Sequence, residues 1–214
     1  MRPASLRPAL LPQRERGRAR VASLMAAAAA LFVEKGYDAT TMTEIASRAG
    51  AAIGSLYLFF PVKQTLAQAI MADLASRLSA RLEALQDRVR ARHAAEIADA
   101  LFDELAQFLA ENPVYAVLLD LPGDEDWRSA IRLQRRGQIA QLFNQASPAL
   151  APAQAERLAL IVPQLMRTAM VVSGQSPALR EGLFDELRSM LRHHLAWQHR
   201  DPLSSAAADP TSSA

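Results

Sequence analysis

Between Thr41 and Lys63 the chain collects side chains suited to holding a phosphate backbone rather than to breaking a bond. Thr41, Thr43, Ser55 and Tyr57 carry hydroxyls and Lys63 an ammonium, with Ala52, Ile53, Gly54, Leu58 and Phe59 among them. Hydroxyls and a cation bond to phosphate oxygens, and apolar side chains touch thymine methyls. Covalent chemistry has little to work with. The chain has no cysteine, which removes disulfides, thiolate metal sites and thiol catalysis. Its four histidines are His93, His193, His194 and His199. His193 and His194 are adjacent, so on a helix they point apart and cannot share a metal as an i, i+4 pair would. No HExxH, phosphate-cradling glycine loop or nucleophile elbow is present. The expectation is no catalytic residue, no metal and no cofactor.

The elements that must position this stretch are short helices. Thr41-Met42-Thr43-Glu44 reads as a capping box, in which Thr41 and Glu44 satisfy each other's backbone donors. A helix over Met42 to Ala49 follows and Gly50 ends it, because glycine adopts a left-handed conformation cheaply. A second runs over about Ala52 to Phe60 and stops before Pro61. Ile45, Ala49, Ala51, Leu56 and Phe60 bring the two together, with small Ala46 at the crossing. This is a helix-turn-helix pattern, whose second helix enters a DNA major groove.

Upstream, Val21, Leu24, Met25, Ala28, Leu31 and Phe32 keep helical spacing, and Gly36 is a natural C-cap. Basic residues precede an apolar run here, but Leu24 to Val33 is too short to span a bilayer, which needs ~20 residues. No small-residue cleavage site follows it. Residues 1–13 hold three prolines and no helical period, and read as a disordered arm. Arg14, Arg16, Arg18 and Arg20 read as a solvated helix start that can also touch phosphate. Residues 1–66 hold nine Lys/Arg against four Asp/Glu, and the remainder 15 against 18. A basic head on a mildly acidic body suits nucleic-acid binding.

From Val62 the chain is helical almost throughout. The apolar spacing predicts helices over Val62 to Arg92, Ala94 to Glu111, Val114 to Leu121, Asp124 to Ala146, Ala153 to Ser173 and Pro177 to Trp197. The helix from Ala153 is apolar nearly all round, so it needs cover on several sides. The Ser/Ala/Pro-rich tail from Arg200 reads as disordered. No strand pattern, repeat or membrane-spanning segment is visible.

The run Gly50-Ala51-Ala52-Ile53-Gly54-Ser55-Leu56-Tyr57-Leu58-Phe59-Phe60-Pro61-Val62-Lys63 resembles the recognition segment of TetR-family transcriptional regulators. Phe32 to Tyr37, Thr40-Thr41 and Glu44-Ile45-Ala46 resemble the same family's first helix and its exit. The resemblance covers about Arg20 to Leu66. It implies an all-α fold of about nine helices: an N-terminal three-helix DNA-binding head at 14–61 and a helical ligand-binding and dimerisation body at 62–199, between an arm at 1–13 and a tail at 200–214. It further implies a homodimeric repressor paired through its last two helices, reading a near-palindromic operator and released by a small effector; the lack of cysteine fits a cytoplasmic protein. The DNA-contacting positions would be Thr41, Thr43, Ala52, Ile53, Gly54, Ser55, Tyr57, Leu58, Phe59 and Lys63, with Tyr57 matching a phosphate-contacting tyrosine. Ala52 stands where the family often has serine and Phe59 where histidine is common, so the reading face is unusually apolar.

The pocket candidates are Phe102, Leu105, Phe108, Trp127, Ile131, Met166 and Met170, which point to an apolar or aromatic effector. Two other classes compete. A helical adaptor acting through protein contacts would use apolar Ile53, Leu58 and Phe59 on a partner. An all-helical enzyme would need a site that no motif supplies.

Overall fold

The computed structural model describes residues 13–119, 121, 125–172 and 177–198, and side chains at 15–119, 121, 129–167 and 182–196. The expected arm at 1–13, save Gln13, and the tail at 200–214 lie outside them. Among the described residues there are nine helices and no strand. They are α1 (Gln13–Lys35), α2 (Met42–Arg48), α3 (Ile53–Phe59), α4 (Lys63–Arg88), α5 (Ala94–Glu111), α6 (Val114–Leu119), α7 (Glu125–Asn144), α8 (Pro152–Val172) and α9 (Pro177–Gln198).

The helix ends follow local chemistry. Gly36 and Gly50 take φ of +86° and +59°, where a side chain would be strained. At Gly50 the Ala51 N–H donates to Ala46 O at 2.9 Å and the Gly50 N–H to Ser47 O at 3.1 Å, a complete Schellman motif. α3 is shorter than the apolar pattern suggests. Ala52 is extended and supplies no side-chain cap, and Phe60 is extended because Pro61 follows it. α4 ends at Arg88, four residues early. The connection after it is fixed by the α7 exit, with Ala91 N–H on Gln145 O at 3.2 Å and Ser147 N–H on Arg92 O at 2.9 Å.

The chain forms two compact units. The first contains residues up to Leu74 and returns for 113–123. Its core joins Leu24, Ala28, Leu31 and Phe32 of α1 to Ile45 of α2, Leu56 of α3, and Leu66 and Ile70 of α4. α6 packs on α1 and buries Val114, Tyr115 and Leu118. The second unit spans 75–112 and 124 onward. There α7 packs on α8 and α5 on α9, around Leu82, Leu101, Phe102, Phe143, Leu158, Val162 and Leu195. On α7 Leu133 is exposed, while Ile139, Leu142 and Phe143 carry the buried face. No helix among the described residues is long and apolar enough to cross a membrane.

Candidate nucleic-acid interface

α3 divides cleanly into two faces. Leu56 is fully buried, and Phe60 just beyond the helix is buried too, as are Ile45 and Ala46 of α2, the helix on which α3 packs. Ile53, Gly54, Tyr57, Leu58 and Phe59 are exposed, Leu58 to 78%. Positions 53, 54, 57 and 58 recur at helical spacing, so they share one outward face. Ser55 is half-buried; Ala52 is exposed at the helix entry and Thr43 on neighbouring α2. A Cβ built on Gly54 meets no atom within 4 Å. Internal packing therefore does not demand glycine here, and the backbone of α3 is bare on its outward side.

The turn that aims α3 is held from α1. Arg20 Nη1 donates to Gly50 O and Ser23 Oγ to Ala49 O, each at 3.3 Å. Arg48 pairs with Glu34 and Lys35 with Glu44, tying α2 to α1 on both flanks. These pairs are exposed, so water screens them and they orient the helices more than they stabilise the fold.

Two side chains expected at phosphate have other partners. The Thr41 hydroxyl donates to Glu44 Oε2 at 2.7 Å and accepts from the Glu44 N–H at 3.3 Å. The Glu44 carboxylate also takes the Thr41 N–H at 2.9 Å, completing the capping box. A hydroxyl has one hydrogen, and Thr41 spends it on Glu44. The Lys35 hydrogen bond, then those from Thr41, pull the Glu44 carboxyl down to about 2. The Lys63 ammonium donates to three backbone carbonyls, Tyr37 O at 2.7 Å, Thr40 O at 2.8 Å and Asp38 O at 3.1 Å. It also lies 4.4 Å from the centre of the Tyr37 ring. Burial raises the Tyr37 hydroxyl above its ordinary pKa.

Sequence reasoning missed Tyr37 and Thr40 as parts of this clamp. Thr40 is buried, and its hydroxyl donates to Gly36 O at 2.8 Å, closing the end of α1. The available clue was Thr40 standing directly before a capping threonine, four residues after a helix-ending glycine.

Comparison with known families decides what this head belongs to. Residues 24–70 match the family described as bacterial regulatory proteins, tetR family, and residues 94–195 match the tetracyclin repressor-like C-terminal domain. The chain belongs to the TetR family. Similar solved structures include a TetR-family transcriptional regulator from Streptomyces coelicolor, 22% identical, covering 85% of this chain and 98% of that one, TM-score 0.61. TylP, a TetR regulator from Streptomyces fradiae, is 28% identical over 86% of this chain and 81% of its own, TM-score 0.53. SmeT in complex with triclosan is 21% identical over 78% and 89%, TM-score 0.58. No curated protein sequence matches.

As a TetR-family transcriptional regulator the chain is DNA-binding, and its body is where the family's C-terminal domain lies. Of the pocket candidates in that body, Phe102, Leu105, Phe108 and Met166 are buried and Ile131 is half-buried; the Trp127 and Met170 side chains lie outside the described residues. Phe108 lies under the Arg81 guanidinium, 5.4 Å from its ring centre. Arg81 itself pairs with Glu104 and Glu111. Buried Asn112 donates to Phe108 O at 2.8 Å, capping α5. In this TetR-family member His93 is the N-cap of α5, its N–H donating to Glu96 Oε2 at 3.1 Å, and His193 and His194 are exposed on α9; His199 lies outside the described residues. No group of three or more potential metal ligands occurs among the described residues.

Proposed function

We propose that the chain is a homodimeric, cytoplasmic repressor that reads a near-palindromic operator through the outward face of α3 and is released by a small apolar or aromatic effector. DNA reading falls to elements within 14–61, ligand binding and dimerisation to elements within 62–199. The observation that carries the DNA reading is the bare face of α3, where Ile53, Gly54, Tyr57 and Leu58 face outward while Leu56 anchors the helix. Apolar side chains there favour thymine methyls over hydrogen-bonded base edges. Thr43, Ser55 and Tyr57 supply hydroxyls for phosphate. Thr41 and Lys63 support the head instead, through Glu44 and through the carbonyls of Tyr37, Asp38 and Thr40.

The dimer reading rests on α8. It buries Leu158, Val162 and Met166 within one protomer while Leu160 and Ile161 stay 49% and 46% exposed. A helix apolar on both sides requires a second covering surface, and a second copy supplies it. Two heads would then meet DNA about one turn apart, ~34–36 Å. The effector class follows from the aromatic and aliphatic character of Phe102, Leu105, Phe108 and Met166, with few polar side chains among them.

The test is to select duplexes from a random library with the full-length protein, then measure anisotropy against competitor DNA at two salt concentrations. Enrichment of a two-fold-symmetric site, bound by two chains, supports the reading. Enrichment of no sequence, with binding that vanishes as salt rises, refutes it. That result would favour the adaptor reading, in which exposed Leu58 meets a protein.

A further inference from the structure

A lysine ammonium at the first residue of α4 opposes the helix macrodipole. A bound anion is the simplest compensation, but the structure shows a different one. All three N–H donors of Lys63 are used on the carbonyls of Tyr37, Asp38 and Thr40. Those carbonyls belong to the connection between α1 and α2, 23 to 26 residues earlier in the chain. The Tyr37 ring covers the ammonium and itself packs on Phe32, with centroids 5.2 Å apart. Thr40 is the last residue before the Thr41 cap of α2, and Lys63 is the first residue of the helix that follows the α3 exit. One side chain therefore joins the end of α1, the start of α2 and the start of α4, bracketing the two DNA-reading helices.

We propose that Lys63 is a positioning residue for α2 and α3 that neutralises no DNA phosphate. This rests on the reading that the outward face of α3 meets DNA. Charge-assisted bonds to three carbonyls hold the connection where Thr41 can cap α2. Arginine does not substitute, because a planar fork cannot place three donors on carbonyls arranged around a compact ammonium. Methionine keeps the stem and loses every donor.

Lys35 and Lys63 are the only lysines in the chain, so two measurements isolate this one. The first is the lysine ammonium 1H–15N spectrum of the full-length protein, assigned by Lys35→Arg, without DNA and with a random-sequence duplex. The expected result is a slowly exchanging Lys63 signal that is present without DNA and stays in place when DNA is added. A Lys63 signal that exchanges freely without DNA, or moves to a phosphate on binding, overturns the proposal.

The second is binding of Lys63→Met and Lys63→Arg to the same duplex and to any duplex selected by the wild type, across a salt series. Loss of positioning lowers affinity on the order of tenfold, the equivalent of one charge-assisted hydrogen bond, without changing the slope of log K against log[salt]. Loss of a phosphate contact lowers that slope by about 0.9, and this result overturns the proposal. If neither variant folds, the wild-type spectrum decides. If no duplex is selected, the reading of α3 fails while the DNA-free spectrum still tests the clamp.

Discussion

Gly54→Ala should move stability and DNA affinity in opposite directions; the open space at Gly54 sets the first sign and the proposed contact of α3 with DNA the second. Gly54 is the second residue of α3, exposed, with right-handed helical neighbours and open space where a methyl would go. Nothing in the folded head resists alanine. Replacing a helical glycine reduces the entropy of the unfolded chain, an effect of about 1 kcal/mol in a helix interior. Near the start of a seven-residue helix the gain is about 0.5–1 kcal/mol. For a chain of this size that raises the melting temperature by roughly 1–4 °C. On DNA the same methyl projects from the outward face of α3. If the α3 backbone lies against the duplex, the methyl separates the surfaces and costs on the order of tenfold in affinity. The assay pairs thermal unfolding with anisotropy on a selected duplex. A lower melting temperature would refute the open-surface description. Unchanged affinity with the gain in stability would refute close approach at Gly54.

Three further outcomes follow from named contacts. Thr41→Ala removes the capping hydroxyl and should destabilise the head by about 1 kcal/mol, read as a lower denaturant midpoint at unchanged slope. Glu44, with its carboxyl pulled from 4.5 to about 2 by Lys35 and Thr41, contributes stability that is present above its unfolded pKa and lost as pH falls towards 2. Melting temperature should therefore fall less steeply below pH of about 4.5 in Glu44→Gln than in the wild type; parallel curves would contradict this. Leu160→Glu puts a charge on the exposed side of α8 and should convert a sedimenting dimer to monomer at micromolar concentration. A persistent dimer would move the interface elsewhere.

Most of the helical plan was legible along the chain, because helix starts and stops are local chemistry. Thr41 and Glu44 are three residues apart and cap each other without outside help. Gly50 ends α2 through its own backbone conformation. α5 begins and ends where the apolar spacing indicates, since periodicity acts within a turn or two. The assignment to a DNA-binding family was equally legible, because its marker residues lie within Phe32 to Lys63.

What the tertiary structure alone decided is which partners distant residues find. By itself, Lys63 is a free cation at a helix N-terminus; only folding brings the carbonyls of Tyr37, Asp38 and Thr40 to it. Gly54 could equally have filled a helix crossing, and only the packed head shows that nothing lies above it. The apolar residues of α6 carry no local instruction about a partner, yet α6 packs on α1 and buries Val114, Tyr115 and Leu118. Hydrogen-bond donors and apolar faces state what they need locally. Which distant group meets the need depends on how the chain closes in three dimensions.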